Sequence, residues 1–104
     1  MLVFVDDYKE IGQLRIEVDE ENKEAIINYS IDKNYRGRGF GTGILSKSNQ
    51  YYSDLGIQYP LVGFVKLDNV ASVSAFNRAG FKKLEGEYII NSEPYFKFSN
   101  IPII

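Results

Sequence analysis

A glycine-rich loop is the part of this chain whose residue types and spacing most clearly suggest chemistry. Gly37, Gly39, Gly41 and Gly43 alternate with other residues just where a helix-like pattern begins. Because glycine has no side chain and tolerates unusual backbone angles, successive N–H groups can line one concave side of such a loop. The first turn of a helix adds unpaired N–H groups and a partial positive charge. The loop therefore predicts an anion site, and a pyrophosphate group would suit it.

Charged neighbours strengthen this prediction, and two familiar phosphate loops fit it poorly. Arg36 and Arg38 bring full positive charge to the loop. A Walker loop needs a Lys after its last glycine, which is absent here. A dinucleotide fingerprint would place Thr42 at its third glycine, and no acidic residue stands at the ribose position about twenty residues later. The loop alone leaves open a glycine-rich surface turn between a strand and a helix.

Composition limits the remaining possibilities. The 104 residues are 44% apolar, which suits one compact domain over residues 1–104. With 12 Lys and Arg against 14 Asp and Glu, the net charge of −2 argues against a nucleic-acid partner. Cysteine and histidine are absent, which excludes disulfides, thiol nucleophiles and histidine-based triads, and we expect no metal. Because no apolar run approaches a membrane span or a signal sequence, we expect no membrane partner and a cytoplasmic location.

The first half of the chain predicts three strands and a helix. A short strand over Leu2–Val5 precedes a polar turn, and residues 11–18 alternate as a second strand. Residues 24–31 have apolar side chains on both faces, which predicts a central strand covered on both sides. Apolar residues then recur at helical spacing from about Gly41 to Leu55.

The second half predicts a strand, a helix and a hairpin. A buried strand spans residues 61–65, and Asn69 is a good N-cap for a helix over residues 70–79. Gly80 suits the left-handed residue after that helix, which places Phe76 and Phe81 in the contact that closes a Schellman motif. The hairpin pairs residues 87–91 with 94–98 around Asn91-Ser92-Glu93 and leaves residues 99–104 as an apolar tail.

Two motifs in this order resemble the GCN5-related N-acetyltransferase (GNAT) superfamily. Arg36, Gly39 and Gly41 match the pattern Arg/Gln-x-x-Gly-x-Gly/Ala of its coenzyme A (CoA) pyrophosphate loop. Residues 69–81 match its second signature, Asn-x-x-Ser/Ala-x-x-x-Tyr/Phe-x-x-x-Gly-Phe. The resemblance covers about residues 11–98. It looks closest to the branch with Ser at the fourth position, which includes ribosomal-protein and amino-sugar acetyltransferases.

The resemblance implies a fold, a donor and a set of binding residues. The fold is α/β (α+β), with a mixed, mostly antiparallel sheet and two helices, and it lacks the family's usual first strand and first two helices. The activity is transfer of an acetyl group from acetyl-CoA to a primary amine on a small molecule, an amino sugar or a protein N-terminus. The residues that would hold the donor are Ile31, Lys33, Arg36, Gly37, Arg38, Gly39, Phe40, Gly41, Thr42, Asn69, Ser72 and Phe76.

Departures from the family pattern leave the catalytic groups open. Where the family often has a glutamate base, this chain has Ile26, and where it often has a tyrosine acid, this chain has Phe76. Tyr29 and Tyr88 are candidates for assisting departure of the thiolate. A CoA-binding or assembly module without catalysis is therefore the alternative function, and an unrelated α+β interaction domain is a third.

The missing helices also bear on partners. In the family they cover one face of the sheet, so their loss predicts an exposed apolar face. We expect a second copy of the chain, or a fused or neighbouring domain, to cover it.

Overall fold

The structure is a computed structural model that describes the backbone of residues 2–100 and the side chains of residues 6–100. Seven strands and two helices follow one another along the chain. They are β1 Leu2–Asp7, β2 Gly12–Asp19, β3 Glu24–Ile31, α1 Phe40–Asp54, β4 Leu61–Lys66, α2 Val70–Arg78, β5 Lys82–Lys83, β6 Tyr88–Ile90 and β7 Glu93–Ser99. A single 3₁₀ turn at Lys33–Tyr35 joins β3 to the glycine-rich loop. Neither helix within residues 2–100 has the length and apolar character needed to cross a membrane.

The strands form one sheet in the order β1-β2-β3-β4-β7-β5, and β6 also pairs with β7. All pairs are antiparallel except β3 with β4. That parallel pair holds for two positions, Ala25 opposite Leu61 and Ile26 opposite Val62. Beyond Ile26 the two strands separate, so the second half of β3 presents an unpaired backbone edge toward β4.

Both helices pack on the same face of the sheet. On β3, Ala25 and Ile27 are buried beneath them, whereas Asn28 and Ser30 point the other way and are exposed. The prediction that β3 is central is confirmed by its pairing on both edges. The prediction that β3 is covered on both faces does not hold at Asn28 and Ser30, which are exposed. The core between helices and sheet consists of Leu14, Ile16, Ala25, Ile27, Ile44, Leu45, Leu61, Val65, Ala75, Phe76, Phe81 and Phe98.

Phe76 anchors α2 to the sheet. Its ring stacks on Phe98 with centroids 5.0 Å apart and meets Phe81 edge-on at 5.2 Å. The ring also lies against Gly63 on β4, where an added Cβ would come within 2.3 Å of Phe76 Cζ. The Phe81 N–H donates to the carbonyl of Phe76 at 3.1 Å, and Gly80 has φ of 91°. The predicted Schellman closure is therefore confirmed.

Several boundaries differ from the predicted ones. β1 continues to Asp7, and α1 begins at Phe40 because Gly39, with a left-handed φ of 82°, serves as its N-cap. The hairpin turn contains two residues, Asn91 and Ser92, both at positive φ, so Glu93 belongs to β7. The 3₁₀ turn and the two-residue strand β5 were not predicted. Of the predicted tail, residues 101–104 lie outside the described residues.

The other face of the sheet, here called the helix-free face, carries both polar and apolar side chains. Its central side chains are those of Glu24, Ile26, Asn28, Ser30, Val62, Phe64, Tyr88 and Lys97. Lys97 crosses β4 to form a hydrogen-bonded ion pair with Glu24, and its Nζ lies 5.4 Å from the Phe64 ring centroid and 5.3 Å from that of Tyr88. Among residues 6–100, the large hydrophobic side chains that are exposed, Leu55, Val70 and Ile89, lie elsewhere. The homodimer stays a prediction.

Replacing Gly63 should test the contact that anchors α2. In Gly63→Ala the new methyl group would overlap the Phe76 ring, and we expect a loss of about 1–3 kcal/mol in the free energy of unfolding. Gly43→Ala is the matched control, because its Cβ would meet nothing within 4 Å. It should stabilise the helix by roughly 0.5–1 kcal/mol. Urea unfolding followed by circular dichroism measures both, and a Gly63→Ala protein as stable as wild type would contradict the packing.

Candidate functional site

A cleft of about 620 Å³ opens between the two helices, at the end of β3. Three segments form its walls: the end of β3, the glycine-rich loop with the start of α1, and one side of α2. The lining residues are Tyr29, Ser30, Ile31, Tyr35, Arg36, Gly37, Gly39, Phe40, Gly41, Thr42, Asn69, Ala71, Ser72, Ser74, Ala75 and Arg78. The two sequence motifs, some thirty residues apart along the chain, thus meet in one cavity.

The start of α1 forms the electropositive end of this cleft. Gly39 is the N-cap and offers no side chain to accept a hydrogen bond from the first turn. The first intrahelical bond runs from the Gly43 N–H to the Gly39 carbonyl at 3.1 Å. The N–H groups of Phe40, Gly41 and Thr42 therefore have no partner within the helix, and all three residues line the cleft. Unpaired donors and the positive end of the helix dipole favour an anion at this point.

Of the three basic residues predicted to bind the ligand, Arg36 lines the cleft and Arg38 and Lys33 do not. Arg36 lines the cleft, and its Nε donates to the Ile31 carbonyl at 3.1 Å, which ties the loop to β3. That bond uses one of the five guanidinium N–H groups and leaves four for a ligand. Arg38 instead lies over the Tyr35 ring, 5.7 Å from its centroid, and Lys33 belongs to the 3₁₀ turn. Neither Arg38 nor Lys33 is among the cleft-lining residues.

A hydrogen bond between Tyr29 and Ser72 joins β3 to α2 inside the cleft. Tyr29 Oη and Ser72 Oγ are 2.5 Å apart. The Asn69 side chain accepts from the Ser72 N–H at 3.2 Å, which confirms the predicted N-cap and fixes the first turn of α2. Burial raises the pKa of Tyr29 above its usual value, and the hydrogen bond with Ser72 partly offsets that rise. The phenol is therefore protonated at neutral pH.

Two further predicted site residues lie away from the cleft. Phe76 is 2% exposed and belongs to the core. Its Cζ, where a tyrosine would carry the hydroxyl, lies against Gly63, so the ring packs the core where the family often has an acid. Tyr88 lies on the helix-free face, where it meets the Phe64 ring edge-on at 6.2 Å. Tyr29 is thus the catalytic candidate that the cleft contains.

Sequence reasoning missed six lining residues, and four of them share one pattern. Ala71, Ser74, Ala75 and Arg78 are three, four and seven residues apart on α2, which is the spacing of one helix face. Three of the four are small, and they leave room beside the helix. This helical stripe of small residues ending in an arginine could have been read from the sequence. Ser30 and Tyr35 are next to predicted residues and carry no separate signal.

Comparison with known proteins identifies the family. The model of the acetyltransferase (GNAT) domain matches residues 1–82, most of the chain. The chain therefore belongs to the GNAT acetyltransferase family. No protein of curated function matches it.

Solved structures support the same fold but are longer. RimL, a ribosomal L7/L12 alpha-N-protein acetyltransferase in complex with CoA, is 24% identical with a TM-score of 0.71, over 88% of this chain and 55% of RimL. A ribosomal-protein-S5-alanine acetyltransferase from Vibrio fischeri is 19% identical with a TM-score of 0.74, over 88% and 54%. The microcin C7 self immunity acetyltransferase MccE, in complex with acetyl-CoA and AMP, is 30% identical with a TM-score of 0.65, over 86% and 52%. The chain spans about half the length of each.

Restoring a tyrosine at position 76 should not create an acid in this cleft. In Phe76→Tyr the hydroxyl would be buried against β4, and we expect a loss of about 1–3 kcal/mol of stability with no gain in acetyl transfer. Phe64→Tyr is the control, since Phe64 is half-buried on the helix-free face and should change stability by less than about 0.5 kcal/mol. Thermal unfolding and rate measurements compare the two. A stable Phe76→Tyr protein with increased turnover would show that the position is catalytic.

Proposed function

We propose that this chain binds acetyl-CoA in the cleft and transfers the acetyl group to a primary amine. The observation that carries the proposal is the uncapped start of α1, which opens into the cleft beside the point where β3 and β4 separate. The uncapped start of α1 suits an anion. The edge of β3 that β4 leaves unpaired suits an extended ligand that needs backbone hydrogen-bond partners. Acetyl-CoA combines a diphosphate with an extended pantetheine arm.

The loop fits the diphosphate by charge and by space. The N–H groups of Phe40, Gly41 and Thr42 would donate to its oxygens, and Arg36 would add a full charge. Gly37 and Gly39, both at left-handed φ, bring bare backbone to the cleft surface. An added Cβ at Gly41 would lie 3.4 Å from Tyr29 Cε2, so a side chain there would enter the space between α1 and β3.

The separated strands fit the pantetheine arm. Past Ile26, β3 has no register with β4, so its backbone on that edge can bond an extended ligand as an added strand would. Ile31 lines the cleft at the end of this edge. The thioester would then lie deeper, toward the place where the two strands join.

The transfer itself requires few side chains. The amine attacks the thioester carbonyl, the carbon–sulfur bond breaks, and the proton lost by the amine is matched by one gained by the sulfur. We propose that Tyr29 donates its phenolic proton to the departing sulfur while Ser72 donates a hydrogen bond to the phenolic oxygen. Water would relay the amine's proton, because Ile26 occupies the position where the family often has a carboxylate.

Neighbours indicate the class of acceptor. RimL is an alpha-N-protein acetyltransferase, and SpeG from Vibrio cholerae, another similar structure, is a spermidine N-acetyltransferase. Protein N-termini and the two ends of spermidine carry primary amines, which supports a primary amine as the acceptor of this chain.

Binding of CoA without transfer is the second candidate function. Phe76 packs against Gly63 at the position where the family often has an acid. Ile26 stands where the family often has a base. Both differences favour this alternative. Turnover distinguishes the two. Because the chain has no cysteine, a thiol reagent reads CoA release without protein background, and a panel of amines can be screened. Release that depends on an amine supports transfer, whereas binding without release supports the alternative.

Tyr29→Phe should separate chemistry from binding in that assay. We expect kcat to fall about 100-fold while the affinity for acetyl-CoA changes little, because the proton donor is lost but the ring remains. Since the pKa of Tyr29 is raised, the wild-type kcat should show no loss from its ionisation below about pH 10. Tyr59→Phe, whose hydroxyl binds Glu20 at 2.8 Å outside the cleft, is the control. Equal kcat in both variants would exclude the assigned role.

A charge in the loop tests the anion site directly. Gly41→Asp places a carboxylate beside the diphosphate, and we expect CoA affinity to fall roughly 100-fold or more. Gly43→Asp adds the same charge two residues along α1 but outside the cleft lining, and should bind nearly as wild type. Isothermal titration with both folded variants makes the comparison. Undiminished affinity in Gly41→Asp would place the diphosphate elsewhere.

A further inference from the structure

A shielded ion pair connects three strands on the helix-free face. Lys97 on β7 reaches across β4 to Glu24, the first residue of β3. Their side chains are 14% and 16% exposed, whereas the other ion pairs found among the described side chains are 40–56% exposed. Exposed pairs add little to stability, but removing one partner of a shielded pair is costly because the other charge is left alone. This pair therefore ties β3 to β7 over β4.

Two aromatic rings hold the Lys97 ammonium in place. Its Nζ lies 5.4 Å from the centroid of the Phe64 ring and 5.3 Å from that of Tyr88. The two rings meet edge-on at 6.2 Å. Because the face of an aromatic ring attracts a cation, both rings add to the attraction of the Glu24 carboxylate. The lysine side chain is thus fixed across β4 from three sides.

The pairing of β3 with β4 is short and ends beside this ion pair. It covers two positions, and the last is Ile26 opposite Val62. Glu24 lies two residues before Ile26 and therefore on the same face of the sheet. Val62 is 1% exposed, so that face is closed where the strands join. Since a parallel pair of two positions is weak by itself, the ion pair supplies much of what keeps the join closed.

We propose that the Glu24–Lys97 ion pair, here called the clamp, fixes where the slot between β3 and β4 ends and so restricts the acyl group to the size of acetyl. This inference rests on the proposed function, which places the pantetheine arm in the slot with its thioester toward the join. The acyl carbons then point at Ile26 and Val62. A longer acyl chain needs the strands to part by a further position, which stretches the clamp. Glu24 and Lys97 are positioning residues, because they act through the separation of the strands.

Amide hydrogen exchange tests the clamp without any ligand. The Ala25 N–H donates to the Pro60 carbonyl at 2.8 Å and so reports on the join. In Lys97→Met, which keeps the length of the side chain but not its charge, this N–H should exchange about tenfold faster than in wild type. Glu24→Gln should act in the same way. Amides of the β2–β3 pair are the reference, because global unfolding would speed their exchange as well.

Two further variants serve as controls. Lys97→Arg should keep wild-type exchange at the join, since arginine also pairs with carboxylates and stacks on aromatic rings. Lys66→Met removes another lysine of the helix-free face, which pairs with Glu93 at the other end of β4 and is exposed. It should also leave the exchange at the join unchanged.

Isothermal titration with CoA, acetyl-CoA and butyryl-CoA tests the selection of the acyl group. Wild type should bind acetyl-CoA about tenfold or more tightly than butyryl-CoA, a discrimination that pockets achieve against extra methylene groups. In Lys97→Met the affinity for butyryl-CoA should rise until most of that preference is lost. The affinity for CoA, which has no acyl group, should stay as in wild type. A general loss of structure would instead weaken the binding of all three ligands.

Each other outcome overturns a defined part of the account. If wild type binds acetyl-CoA and butyryl-CoA equally, or if Lys97→Met keeps the preference, the selection by the clamp is wrong and the CoA site stands. Unchanged Ala25 exchange in both Lys97→Met and Glu24→Gln overturns the clamp itself. If folded wild type binds none of the three ligands, the proposed function fails and this inference fails with it. Circular dichroism shows whether each variant is folded.

Discussion

The contact between the Phe76 ring and the bare backbone of Gly63 fixes α2 against the sheet, and the cleft depends on it. Because Gly63 has no Cβ, the ring reaches the strand itself and stacks on Phe98. α2 then presents Asn69, Ser72 and Arg78 to the cleft from one rigid wall. The same contact occupies the position at which the family often has an acidic hydroxyl. A phenylalanine there packs closely against β4 but has no proton to donate.

The second wall of the cleft, formed by the start of α1 and the glycine-rich loop, is positively charged. Gly39 starts α1 in a left-handed conformation and leaves the first N–H groups of the helix without side-chain partners. Arg36 is held beside them by its bond to the Ile31 carbonyl. A chain with a net charge of −2 thereby concentrates positive potential at one cleft. The separation of β3 from β4 continues this site into the sheet, where an extended ligand would find backbone partners.

The parts of this fold that depend on a few adjacent residues could be predicted from the sequence. The cap at Asn69 and the closure through Gly80 and Phe81 depend on a few adjacent residues, and the structure confirms them. The mixed, mostly antiparallel sheet with two helices followed from family resemblance. The strand order and the single face shared by both helices depend on distant contacts and were not predicted. Arg78 and the Tyr29–Ser72 bond were missed because they require knowing which side of α2 faces β3. The ion pair on the helix-free face was missed because an alternating strand pattern does not show that Lys97 reaches across β4 to Glu24.

Binding of the diphosphate by the main chain at the start of α1 is the central claim, and amide chemical shifts report on it most directly. In a ¹⁵N–¹H correlation spectrum titrated with CoA, the N–H signals of Gly39, Phe40, Gly41 and Thr42 should show the largest shifts. Signals in the β2–β3 turn, residues 20–23, at the opposite end of β3 from the cleft, should move little. Unchanged loop signals at saturating CoA, or the largest shifts elsewhere, would contradict the account.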